Sequence, residues 1–97
     1  MSNAPKEIFE KGMLVRLKDD LPIAMRKRWE EVLDHDTIRR ILAVENHPEY
    51  GEIAYVGPKN ISEKNIEDFR PDEDHASDPR YYGVVSIVTE NLTRLLN

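Results

Sequence analysis

The stretch Thr37-Ile38-Arg39-Arg40-Ile41-Leu42-Ala43-Val44-Glu45 decides the fold, because it reads either as a strand or as a continued helix. On a strand, Ile38, Arg40, Leu42 and Val44 share one face and Arg39, Ile41 and Ala43 the other. The residues downstream favour the strand. Asn46-His47-Pro48-Glu49-Tyr50-Gly51 has hairpin-loop chemistry, and Glu52-Ile53-Ala54-Tyr55-Val56 alternates before Gly57-Pro58 closes the run. The arginines spoil both faces at the start, so pairing is expected to tighten from Ile41 onward.

Upstream of this hairpin, Met13-Leu14-Val15-Arg16-Leu17-Lys18 alternates with a strand period, after the break at Lys11-Gly12 and before Asp19-Asp20. Asp20 and Pro22 then have the chemistry of a helix start, and Met25, Trp29, Val32 and Leu33 recur as an amphipathic stripe. This predicts a helix over 21–34, ending near Asp34-His35-Asp36. Residues 1–10 read as a flexible lead-in in which Ser2-Asn3-Ala4 resembles a tag-removal scar. Residues 11–97 read as a single globular domain.

Downstream, Ser62-Glu63-Lys64-Asn65-Ile66-Glu67-Asp68-Phe69 and Thr89-Glu90-Asn91-Leu92-Thr93-Arg94-Leu95 echo one another, and each reads as a capped helical turn that tucks two apolar side chains inward. Residues 71–79 form a polar, acidic stretch bounded by prolines, read as an exposed loop. Tyr81 to Val88 is the most strand-like run in the chain. The expected core is Met13, Val15, Leu17, Met25, Trp29, Leu33, Leu42, Val44, Ile53, Val56, Phe69, Val85 and Ile87.

Gly12-Met13-Leu14-Val15-Arg16-Leu17-Lys18, the hairpin, and Ser62 to Phe69 together resemble the small Src-homology-3-like barrels. Those often open with G-x-x-V-x-L and place a one-turn helix of the form polar-x-x-N-apolar beside the last strand. The resemblance covers about residues 11–70. The fold it implies here is α+β and β-rich: a small, partly open Src-homology-3-like barrel with a helical insert between the first two long strands. The chain departs from the pattern through the helix at 21–34 and the strand at 81–88, and no functional residue is carried over.

Charge and composition narrow the function. The 97 residues carry a net charge of −5 and no cysteine, which leaves no disulfide framework, thiolate zinc site or cysteine nucleophile. The longest apolar stretches are too short for a membrane helix, and the N-terminus lacks the layout of a secretory signal, so a cytoplasmic location is expected. Residues 11–40 carry eight Lys/Arg against six Asp/Glu, and residues 41–79 carry three against ten, a polarised arrangement. The overall acidity disfavours nucleic acid as a partner, because the phosphate backbone rewards concentrated positive charge.

Four groups are candidates for chemistry. Asp34-His35-Asp36, with His47 and His75 elsewhere, has ligand-type side chains but no His-x-x-x-His spacing, and short polar residues are ordinary at a helix end. Asp72-Glu73-Asp74 imitates the start of a calcium loop, yet its sixth and twelfth positions are Ser77 and Gly83 instead of Gly and Glu. Arg16, Lys18, Arg26, Lys27, Arg28, Arg39 and Arg40, with Trp29 and the tyrosines, form a basic set on the helix and first strand that would serve a nucleic-acid face if its members shared one side. Tyr50, Tyr55, Tyr81 and Tyr82 would furnish a barrel rim with a peptide or protein groove.

No phosphate loop, nucleophile elbow or dinucleotide fingerprint is present, and no cofactor is expected. The expected function is therefore a non-enzymatic adaptor or regulatory module that binds another protein, of a type that suits a bacterial or phage accessory protein. Its candidate binding residues are Tyr50, Tyr55, Tyr81, Tyr82, Arg26, Lys27, Arg28 and Arg39. The alternatives are an accessory nucleic-acid module on the basic set and a metal-dependent hydrolase on Asp34, His35 and Asp36. An edge strand at 81–88 would also permit a homodimer by sheet extension.

Overall fold

A computed structural model of the chain describes residues 8–18, 27 and 38–95. The described residues build one five-stranded antiparallel sheet. Its strands are β1 (Leu14–Leu17), β2 (Arg39–His47), β3 (Gly51–Pro58), β4 (Val85–Val88) and β5 (Leu92–Arg94), in the order β4-β3-β2-β1-β5. A short helix, α1 (Glu63–Asp68), follows β3, and 3-10 turns at Pro79–Tyr81 and Thr89–Asn91 flank β4.

The ambiguous stretch is a strand, and the hairpin is its partner. Its pairs run from Arg39 opposite Pro58 to His47 opposite Gly51, so pairing begins two residues before Ile41. The turn is tighter than the six-residue loop predicted. Gly51 sits at φ 80°, where a side chain would be strained, and this lets a three-residue connection, Pro48–Tyr50, reverse the chain.

One irregularity reassigns the faces of β2. Ile41 lies opposite Val56 and Ala43 opposite Tyr55, so Leu42 is an extra residue in a β-bulge. Strict alternation puts Leu42 with Val44 and Ile41 with Ala43; instead, Ile41 shares a face with Val44, and Leu42 with Ala43. Each face therefore has its own apolar cluster. One contains Phe9, Val15, Leu17, Ile41, Ala54, Val56 and Leu92, with Met13, Val44, Val85 and Ile87 packed against it. The other contains Leu42, Ile66, Phe69 and Tyr81, with Ala43, Tyr55, Ile61 and Val84 around it.

The expected barrel with a helical insert is corrected by this architecture. The described residues are mostly β, and α1, six residues long, lies between β3 and β4. Short local elements cover the second face: α1 and the Pro79–Tyr81 turn bring Ile66, Phe69 and Tyr81 onto it. The helix predicted over 21–34 lies, Lys27 apart, outside the described residues, as do the expected core residues Met25, Trp29 and Leu33.

Two further expectations change. The strand predicted over 81–88 shortens to Val85–Val88, because Asp78 caps a turn that Pro79 opens and Gly83 adopts φ 89°. The second echo turns helical only for Thr89–Asn91, then runs on as β5, where Leu92 pairs with Leu17 and is fully buried. The first echo forms α1 as predicted, with the Ser62 hydroxyl accepting from the Asn65 amide at 3.2 Å.

Candidate protein-interaction face

The second face of the sheet gathers the chain's rings. Antiparallel pairing sets Ala43 beside Tyr55 and Tyr55 beside Ser86, so these side chains project on the side of the bulge residues. The same parity along β2 places Glu45 and His47 on that side. Phe69, delivered by the end of α1, is buried at the centre. Its ring lies 5.5 Å from Tyr55, 4.8 Å from His75 and 5.2 Å from Tyr81. Tyr55 and His75 also meet edge to face at 5.9 Å.

The exposed side of this cluster is polar and acidic. The Tyr55 hydroxyl donates to Glu45 Oε1 at 2.8 Å. Burial, followed by that hydrogen bond and the Glu45 charge, pushes the Tyr55 phenol up to about 12. Phenol and carboxylate are thereby fixed to each other across the hairpin, and the pair presents one negative charge beside an aromatic surface.

At the hairpin tip, His47 organises the turn. Its Nδ1 accepts from the Glu49 amide at 3.0 Å and from the Tyr50 amide at 3.4 Å. The imidazole ring also lies 4.7 Å from the Tyr50 ring. Tyr50 is therefore held in place while remaining 63% exposed.

The acidic loop beyond α1 is structured by its own carboxylates. Asp74 accepts from the Ala76 amide at 3.1 Å and the Ser77 hydroxyl at 2.9 Å. Asp78 accepts from the Arg80 amide and guanidinium, and these bonds hold its carboxyl below the usual carboxylate range. Arg80 reaches Asp68 at 3.4 Å as well, with its guanidinium 5.0 Å from the centre of the Tyr81 ring.

The sequence-predicted tyrosines divide into distinct places. Tyr55 and Tyr81 meet around Phe69, but Tyr81 is buried and its hydroxyl donates to the Asn65 carbonyl at 2.8 Å, which makes it a core residue. Tyr50 stands at the hairpin tip, and Tyr82 is exposed in the turn before β4.

Of the basic set, Arg16 and Arg40 fall on one face of the sheet by their pairing parity, and Arg39 falls on the other. Arg39 is 2% exposed, on the face of Val15 and Ile41, and its Nη1 donates to the Ile38 carbonyl at 2.8 Å. Lys27 is exposed, while Arg26 and Arg28 lie outside the described residues, as does Asp34-His35-Asp36. Among the described residues no three His, Asp or Glu side chains are grouped to hold a metal ion. No described helix is long and apolar enough to cross a membrane.

Sequence reasoning missed His47, Glu45 and His75 as members of this face. The signal for Glu45 and His47 was their i, i+2 spacing, which became informative once the bulge fixed the parity. An open groove of about 250 Å³ is lined by Lys11, Gly12, Arg40, Glu63, Ile66 and Glu67. Its arginine is committed to the fold: Arg40 donates to the Lys59 carbonyl at 2.9 Å and the Gly12 carbonyl at 2.8 Å.

No family model matches the chain, no curated protein matches it, and no solved structure matches it.

Proposed function

We propose that the chain is a small non-enzymatic protein-interaction module whose partner docks on the hairpin face carrying Tyr50, His47, Glu45 and Tyr55. The observation that carries this reading is the state of Tyr50, exposed yet held by His47. An aromatic anchor already fixed in the free protein loses little conformational entropy on binding and contributes a large contact area. The Glu45–Tyr55 pair next to it supplies a directional polar group, favouring a partner segment with hydrogen-bond donors or positive charge. Tyr82 is a separate exposed aromatic, and Tyr81 supports the face from beneath.

The basic residues Arg26, Lys27 and Arg28 remain the basis of a competing nucleic-acid reading, to which Arg39 contributes nothing exposed. Capture from host lysate, with nuclease treatment and at low and high salt, separates the two. A protein retained by the wild-type chain at high salt and lost with Tyr50→Ala supports the module. Retention that disappears with nuclease or salt and ignores Tyr50→Ala sinks it.

A further inference from the structure

We infer that β4 is a self-association edge, through which a second copy of this chain extends the sheet about a two-fold axis. β4 ends the sheet order, so one row of its backbone groups has no strand partner among the described residues. The two ends of the sheet differ in kind. β5 is three residues long and carries Arg94, features that blunt an edge. β4 reads Val85-Ser86-Ile87-Val88 and sits in a run from Tyr81 to Thr89 without one charged side chain, in a chain that is 34% charged. For a molecule of net charge −5, two copies meeting along this edge bring no charged strand side chains together.

Geometry selects the register. Val85 and Ile87 are half-buried against the first-face cluster, so that core extends to the edge strand. An antiparallel β4–β4 pair keeps like faces together only when residues of the same parity oppose one another. Pairing centred on Ser86 does this. It sets Val85 of each copy opposite Ile87 of the other and joins the two cores into one layer, with the exposed Ser86 side chains meeting at the axis. Ser86 lies beside Tyr55 of the docking face, whereas Tyr50 stands at the hairpin tip, so Tyr50→Ala tests docking without touching the β4 edge.

Sedimentation equilibrium across the micromolar range tests this on the full chain. The expected mass is twice 11.3 kDa, falling to 11.3 kDa for Ser86→Lys, which sets two ammonium groups face to face and weakens the dimer by at least about tenfold. Because Ser86 is exposed, Ser86→Lys is expected to retain the wild-type circular dichroism. Since the chain has no cysteine, Ser86→Cys under a mild oxidant should form a covalent dimer, and Glu90→Cys, beyond the strand, should not. A wild-type monomer at every concentration overturns the inference and leaves the edge to a peptide of another protein or to this chain's own residues. A dimer that Ser86→Lys leaves intact overturns it equally.

Discussion

Tyr81 offers the clearest test of how the second face is built, because two substitutions separate its ring from its hydroxyl. The residue is 5% exposed, its ring contacts Phe69 at 5.2 Å, and its hydroxyl donates to the Asn65 carbonyl at 2.8 Å. Tyr81→Phe keeps the ring and removes one neutral hydrogen bond, an expected loss of about 1 kcal/mol. Tyr81→Ala also removes the ring from a site enclosed by Leu42, Ile66 and Phe69, where deletion of a large aromatic costs about 3–5 kcal/mol. The Arg80 guanidinium above the ring adds little, since it is exposed and already paired with Asp78. Equilibrium urea unfolding followed by far-ultraviolet circular dichroism reads both values, and the slope should stay constant if only stability changes. A Tyr81→Ala loss below about 1 kcal/mol would mean that the ring is solvent-facing, which would refute the packing described for this face.

Two other perturbations probe the same face. Gly57→Ala places a Cβ 3.2 Å from both Leu42 Cδ1 and Val84 Cγ2, so overpacking is expected to cost about 1–3 kcal/mol in the same urea assay; a neutral or stabilising result would show that these side chains move aside. Absorbance at 295 nm should show Tyr55 ionising at about 12, a component that Tyr55→Phe removes, while burial also raises the Tyr81 phenol. Because folding raises the Tyr55 phenol above its ordinary 10.0, its contribution to stability is fully present below pH 10 and is lost as the pH rises from 10 to 12. An early titration of Tyr55 would contradict its burial and its bond to Glu45.

How much of this was legible depends on whether each signal is local. The hairpin was readable because Pro48, Gly51 and the alternation of residues 52–56 act within a few residues of one another. The α1 cap was readable for the same reason, Ser62 and Asn65 being three positions apart. β5 was not readable. Thr89-Glu90-Asn91 has helix-start chemistry, and only the distant pairing of Leu92 with Leu17 makes the next residues a strand. The aromatic pair Tyr81-Tyr82 suggested a strand on propensity alone, and the Asp78 cap with Gly83 overruled it. Arg39 looked like a surface cation by its residue type, whereas the register of β2 against β1 turned it inward beside Val15. The candidate face was half visible: its tyrosines stand out in composition, but the assembly of Tyr55 with Phe69, His75 and Glu45 depends on long-range contacts and on one bulge.

That bulge gives β2 a spare residue. Leu42 and Ala43 together occupy the single rung opposite Tyr55, so the strand is one residue longer than its ladder requires. If one residue were lost between Leu42 and Asn46, the strand could close up into regular alternation and keep Ile41 against Val56 at one end and His47 against Gly51 at the other. Where the lost residue is Ala43, every other side chain of the strand keeps its present face, and the turn that holds Tyr50 stays where it is. The hairpin can therefore absorb a change of length internally, and the slack is stored under the aromatic cluster, well away from the tip that meets solvent.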